Sequence, residues 1–338
     1  MTTHEIDIIK QAATRLRQSG KTTLANGLDR ILAEQAERNK YTASAVFGGE
    51  QATEAVAPTI VAADDLSEVA EYVSQSGEFD LLSKIISGAK LNALLTGPTG
   101  CGKTHLVRAV AKSLGKEMFT VQGGGGATYE RIVAKDSLAV RDGATFLQTL
   151  ERVLPVAMRR GAILYLDEPN SIPNEVLFYL FGAMDDRRQI SFEDGSSLKA
   201  TKGFTVVCAM NEGAGYAGTS ILNNAFRSRG DAIVEVKYLP ARREATLLKN
   251  RCGIDAKVAT RLAKLGETIR VHFTQKTVRT PIGTRDLMAC AIMLKDGIEL
   301  MTALHCAIVN KVPSQFPNER KAITDCIAAI FSAEETGD

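Results

Sequence analysis

LNALLTGPTGCGKTHLVRAVAKSL, residues 91–114, reads as strand, loop and helix in that order. The apolar run from Leu91 to Leu95 stops at a turn-rich octet, Gly97-Pro98-Thr99-Gly100-Cys101-Gly102-Lys103-Thr104, and Leu106, Val107, Val110 and Leu114 then recur at helical spacing. The octet fits G-x-x-x-x-G-K-[ST]. Its glycines let backbone N–H groups turn inward around a phosphate, at the positive N-terminal end of the following helix. Lys103 is placed to reach the outer phosphates, and Thr104 offers a hydroxyl to Mg²⁺. A second Gly-Lys-Thr at residues 20–22 is a decoy: Arg15 stands where the first glycine belongs and no strand precedes it, so it reads as a turn between helices.

A second acidic signal lies further along. Residues 162–166, AILYL, form a short apolar run ending in Asp167-Glu168-Pro169-Asn170. This pattern fits a buried strand of a parallel sheet that delivers carboxylates at its C-terminal end. Asp167 is expected to hold Mg²⁺ together with Thr104, and Glu168 to act as general base on the attacking water. Residues 204–210 read as another buried strand. It ends at Asn211, which is either a strand-terminating turn or a group that orients that water.

Bulk properties bound the class. The chain has 338 residues, 45% hydrophobic and 24% charged, enough for two or three domains and a large core. A formal net charge of +2 gives no global electrostatic case for nucleic acid or an anionic membrane. Six scattered cysteines, without a C-x-x-C pair, fit reduced thiols in the cytoplasm. No apolar run reaches membrane-spanning length, and the polar start MTTHEIDIIK is no signal peptide.

The remaining pattern is mostly helical. Residues 4–40 suggest a helical hairpin, and residues 41–63 a linker. Asp65-Leu66-Ser67 reads as a helix cap, leading into one or two helices over 66–86. Residues 118–122 form a strand followed by four glycines, 123–126, which either bend the chain or approach a ligand. Helical spacing runs from Phe146 to Met158 and again over 171–186. A hairpin is expected over 185–199, centred on Glu193-Asp194-Gly195, and a fifth strand over 232–236. From Pro240 onward the spacing is helical throughout. The expected fold is α/β: a phosphate-loop core with a five-stranded parallel sheet over 76–238, an all-helical lid over 239–338, and a helical extension over 1–75.

GPTGCGKT at 97–104, ILYLDEPN at 163–170, NEVLFYLFGAMDDRR at 174–188, FTVVCAMNEG at 204–213, LNNAFRSRG at 222–230 and GTRDLMACAIMLKDG at 283–297, in that order, resemble the MoxR-like AAA+ ATPases. The set is most similar to the branch of the rubisco-activating CbbQ and nitric-oxide-reductase-associated NorQ proteins. The resemblance covers residues from about 85 to 330 and implies a Mg-ATPase that assembles into a homo-oligomeric, hexameric ring and remodels or activates a client protein. The loop residues 97–104 with His105 would bind ATP. Asn211 falls at sensor 1, Arg285 at sensor 2, and Arg229 at the arginine inserted into the neighbouring subunit's site, with Arg227 as the alternative because Gly230 replaces the usual phenylalanine. Residues 187–202 resemble the insertion before sensor 1, and 132–146 the insert of helix 2. A von Willebrand factor A domain protein is the expected partner, as a separate polypeptide, and the N-terminal hairpin either docks it or packs on its own core. The competing function is a nucleic-acid motor, or the NTPase subunit of a restriction-type complex, using the dibasic pairs at 159–160, 187–188 and 242–243. A third is a nucleotide-gated scaffold, against which the intact Asp167-Glu168 pair argues.

Overall fold

The computed structural model describes residues 61–88, 91–141, 144–193, 195–211 and 228–331. The expected N-terminal hairpin, most of the linker and Arg227 lie outside them. Five parallel strands form the central sheet: β1 (Ala93–Gly97), β2 (Met118–Gln122), β5 (Ile163–Asp167), β8 (Thr205–Asn211) and β9 (Ala232–Glu235), in the order β2-β5-β8-β1-β9. β1, β5 and the first five residues of β8 are buried on both faces, apart from Asp167 at the end of β5. Alternate residues enter opposite apolar clusters, and so these strands read as unbroken apolar runs. Leu94, Leu164, Leu166 and Val206 share a cluster with residues of α3 (Tyr129–Ile132), α4 (Val153–Arg160) and α5 (Asn174–Met184). Leu95, Ile163, Tyr165 and Val207 pack against α1 (Glu78–Gly88) and α2 (Lys103–Leu114).

The register sets the site. Gly97 pairs with Asn211, Asp167 with Ala209, and Gln122 with Asp167. The C-terminal ends of β1, β5 and β8 therefore emerge at one edge, where the strand order reverses around β1. Gly123 closes the edge at β2: its N–H donates to the Asp167 carbonyl at 2.7 Å, and a Cβ there would fall 2.0 Å from the Glu168 carbonyl oxygen. The glycine run thus permits close approach between two strand exits.

Three expectations are corrected. The helix expected from Phe146 begins only at α4: Ala144–Glu151 is β4, paired with β3 (Ala134–Arg141), and Thr149 Oγ1 donates to Asp136 at 2.8 Å. Apolar residues at helical spacing there are overridden by the pairing of β4 with β3. Residues 66–76 are not helical; α1 starts at Glu78, whose carboxylate accepts from the Gln75 and Ser76 N–H groups and from the Tyr72 hydroxyl. Those bonds hold the Glu78 pKa down at about 2 against the opposing effect of burial. Asp65 caps no helix and accepts the Ser67 N–H in a local turn. The expected hairpin is present as β6 (Gln189–Ser191) and β7 (Ser197–Lys199).

Among the described residues five α-helices follow β9: α6 (Ala241–Cys252), α7 (Ala256–Thr274), α8 (Thr284–Lys295), α9 (Leu300–Ala307) and α10 (Pro317–Phe331). They share a core of Leu248, Leu262, Ile269, Leu287, Leu304 and Ile323. A charged pair ties three of them together. Arg270 of α7 forms a fork onto Glu244 of α6, both bonds 2.8 Å, and Thr284 at the start of α8 donates to the same carboxylate at 2.6 Å. The Arg270 guanidinium also lies 3.9 Å from the Tyr238 ring centroid. No helix among the described residues is long and apolar enough to cross a membrane, and all six cysteines are free.

Because Glu244 is fully buried, Arg270→Met leaves a carboxylate uncompensated and costs about 3–5 kcal/mol in chemical denaturation, most of it recovered by adding Glu244→Leu. Gly123→Ala lowers stability by more than about 2 kcal/mol in thermal unfolding, whereas Gly125→Ala, whose Cβ meets open space, stays within about 0.5 kcal/mol of the parent.

Candidate functional site

A cavity of about 770 Å³ opens where the sheet edge faces α6 and α8. Lys103 is its centre. Only 8% exposed, its ammonium donates to the carbonyls of Gly97 (3.0 Å) and Pro98 (2.8 Å) and to Asn211 Oδ1 (2.8 Å). Three donors meet three oxygens, and a buried cation is tolerated only under such satisfaction. Burial lowers its pKa, and the nearby Asp167 and Glu168 carboxylates among others oppose that shift. Asn211 in turn donates from Nδ2 to Glu168 Oε1 at 3.0 Å. This side chain from the end of β8 therefore joins the ammonium to the carboxylate. Glu168 itself adopts φ 53°, ψ 56°, a left-handed conformation of a kind that collects at functional sites.

Thr104 and Asp167 meet through a residue the sequence reading did not select. Tyr165 is fully buried in β5, and its hydroxyl donates to Asp167 Oδ1 at 3.2 Å and lies 2.9 Å from Thr104 Oγ1. With the phenol proton directed at Asp167, the Thr104 proton is directed at the phenol oxygen. The Thr104 lone pairs are then left for a cation. Thr104 and Asp167 form a hard-oxygen donor pair of the kind Mg²⁺ prefers, with nucleotide phosphates and water supplying the other ligands. The signal was legible in period 2: Tyr165 stands two residues before Asp167, on the same face of the strand.

The remaining expected residues are distributed as follows. Thr99, Gly100, Cys101, Gly102 and His105 line the cavity, as does Arg285, exposed at the second position of α8. Burial raises the Cys101 pKa. Arg251 of α6 donates to the Glu71 carbonyl at 2.5 Å and lies 2.7 Å from His105 Nε2. Since arginine can only donate, Nε2 is the acceptor and the imidazole is neutral; burial, then the Arg251 charge, lowers its pKa. Tyr72, its ring centroid 5.8 Å from that of His105, completes this wall. Tyr238 bonds from its hydroxyl to the Thr99 carbonyl at 2.6 Å, so the phosphate loop is tied to the same ring that carries Arg270. Arg229 is elsewhere: its guanidinium carbon sits 4.6 Å from the Phe181 ring centroid on α5, and it is not among the cavity-lining residues. Tyr238 and Arg251 have partners far away in sequence, and neither they nor Tyr72 gave a local signal.

Residues 92–230 match the family described as AAA domain (dynein-related subfamily), and residues 244–330 the family described as CbbQ/NirQ/NorQ C-terminal. The chain is 29% identical over 242 residues to the denitrification regulatory protein NirQ of Stutzerimonas stutzeri, covering 70% of this chain and 84% of NirQ. It is 29% identical over 248 residues to protein NorQ of Paracoccus denitrificans, covering 71% and 87%. Against the uncharacterized protein YojN of Bacillus subtilis the identity is 30% over 262 residues, covering 75% and 82%. The two family matches divide the chain as the cavity does, one holding the sheet edge with Lys103, Asp167 and Asn211, the other the helices that face it. The chain belongs to the CbbQ/NirQ/NorQ branch of the MoxR-like AAA+ ATPases, nucleotide-binding enzymes that hydrolyse ATP.

Proposed function

We propose that this ATPase works as a homo-oligomeric ring, a hexamer, in the cytoplasm, and uses hydrolysis to remodel or activate a separate client protein. The observation that carries the reading is the position of Arg229, which lies across Phe181 and outside the cavity of its own subunit. An arginine so placed serves a neighbour's γ-phosphate, where a cation in trans stabilises the charge of the transition state. The regulatory role printed in the name of NirQ supports a client that is itself a protein. A von Willebrand factor A domain polypeptide is the proposed partner.

In this mechanism the loop N–H groups and Lys103 bind the phosphates, and Arg285 approaches the γ-phosphate from α8. Mg²⁺, held by Thr104 and Asp167, would neutralise phosphate charge. Glu168 accepts the proton of the attacking water as its oxygen bonds to the γ-phosphorus and the bond to the ADP oxygen breaks. Asn211 orients Glu168 through the 3.0 Å bond from Nδ2. Movement of the helices 239–338 against the sheet then transmits force to the client.

The dibasic pairs weigh against the nucleic-acid reading. Arg159 forks onto Glu151, Arg160 meets Glu117, Arg187 meets Asp185, Arg188 meets Asn92, and Arg243 donates to the carbonyls of Ser74 and Gln75.

Two outcomes test the reading. The specific ATPase rate rises with protein concentration in parallel with light-scattering mass, and Arg229→Ala assembles but loses hydrolysis by about 10³-fold or more; a rate independent of concentration that survives this substitution overturns the ring. Tyr165→Phe removes the phenol bridge between Thr104 and Asp167 and raises the Mg²⁺ concentration for half-maximal rate by about tenfold, with ATP affinity in the absence of the metal unchanged.

A further inference from the structure

Asn92 is a fully buried polar residue in the apolar run that leads into the phosphate loop, and the catalytic scheme above does not use it. Every polar group it owns is engaged. Its N–H donates to Asp231 Oδ2 at 2.7 Å and its carbonyl accepts from the Ala232 N–H at 3.1 Å. Its amide Nδ2 donates to the Met184 carbonyl at 2.8 Å and the Arg229 carbonyl at 3.1 Å, with Asp231 Oδ2 a further 3.3 Å contact. Its Oδ1 accepts from Arg188 Nη1 at 2.8 Å.

Two of these partners matter together. Arg229 is held through its backbone carbonyl, and its guanidinium lies over the Phe181 ring. Phe181 belongs to α5, and Met184 is the last residue of that helix. A single amide therefore fixes the backbone of the arginine and the helix carrying its ring platform relative to each other. An apolar side chain of the same size would leave two carbonyls and the Arg188 guanidinium without these bonds inside the protein. Arg188, at φ 51°, adds the start of the β6–β7 hairpin to the same junction.

We propose that Asn92 is the positioning residue for the arginine that each subunit lends to its neighbour. The assignment rests on the trans role of Arg229. It predicts an unusual phenotype: loss of Asn92 disables the adjoining subunit's site and leaves the subunit's own site competent.

Mixed rings read this directly. Asn92→Ala alone binds ATP within about twofold of the wild-type affinity and hydrolyses it at least tenfold more slowly. Mixed in equal amounts with Glu168→Gln, whose arginine is intact but whose site is dead, it recovers to about a quarter of the wild-type rate, since half the sites are competent and half of those have an intact donor. Arg229→Ala mixed with Glu168→Gln is the reference. Recovery in both mixtures supports the proposal. Recovery with Arg229→Ala but not with Asn92→Ala overturns it and leaves the trans arginine standing. Recovery in neither removes the trans arginine and the proposal with it, and a wild-type rate for Asn92→Ala alone overturns it outright. If Asn92→Ala does not fold, Arg188→Met, which removes the bond to Asn92 Oδ1, goes through the same series with the same criteria.

Discussion

A buried ammonium organises the catalytic edge of this molecule. Lys103 sits at the first turn of α2 with little access to water, and its three protons need three acceptors within the protein. Two come from the loop backbone itself, at Gly97 and Pro98, so the loop must fold back over its own lysine. The third comes from Asn211, and this requires β8 to end level with β1. Once Asn211 is turned by the lysine, its amide nitrogen faces Glu168. An arriving phosphate offers Lys103 better acceptors than these neutral oxygens. The exchange would release Asn211 Oδ1, so occupancy of the loop bears directly on the amide that holds Glu168, the proposed general base.

What the sequence made legible follows from locality. The phosphate loop, the strand ending in Asp-Glu and the helices beyond Pro240 are each specified within about a dozen residues, by turn chemistry and by apolar period. The parallel sheet follows from such segments, because short apolar runs alternating with helices have few other ways to bury both faces. The β3–β4 hairpin shows where period misleads: Leu147, Leu150, Val153 and Leu154 have helical spacing, yet a strand ends at Glu151 and a helix begins at Val153. The stretch around residues 66–76 failed for a different reason: Leu66 and Tyr72 pack against the core from an irregular backbone, which Glu78 gathers ahead of its own helix. Asn92, Tyr165 and Tyr238 owe their roles to partners brought by the fold, and for the Asn92 side chain those lie 92 to 139 residues away. Polar atoms inside apolar runs were the visible trace of two of them.

Two routes lead away from the bound phosphates. The first passes from Thr99 to the Tyr238 hydroxyl, from its ring to Arg270, and through Glu244 to Thr284 at the head of α8. Gly283 adjoins this point, and a Cβ there would lie 2.9 Å from the Thr99 carbonyl oxygen. The phosphate loop and the helix bearing Arg285 thus touch twice, by a hydrogen-bonded relay and by backbone contact. The Glu244 end of this relay is fully buried, so its carboxylate depends on Arg270 and Thr284 for its partners.

The second route is shorter. β1 carries the phosphate loop at its C-terminal end and Asn92 immediately before its first residue, Ala93. Five residues of extended strand span about 17 Å, and β1 is held on both sides, by β8 and by β9. Paired along its length on both sides, β1 has little freedom to bend. In the proposed ring, one end of β1 then meets the subunit's own nucleotide while the other sets the arginine offered to the next. Firing in turn around the proposed ring would require each site's state to reach its neighbour, and β1 is the element of this chain that joins the two places concerned.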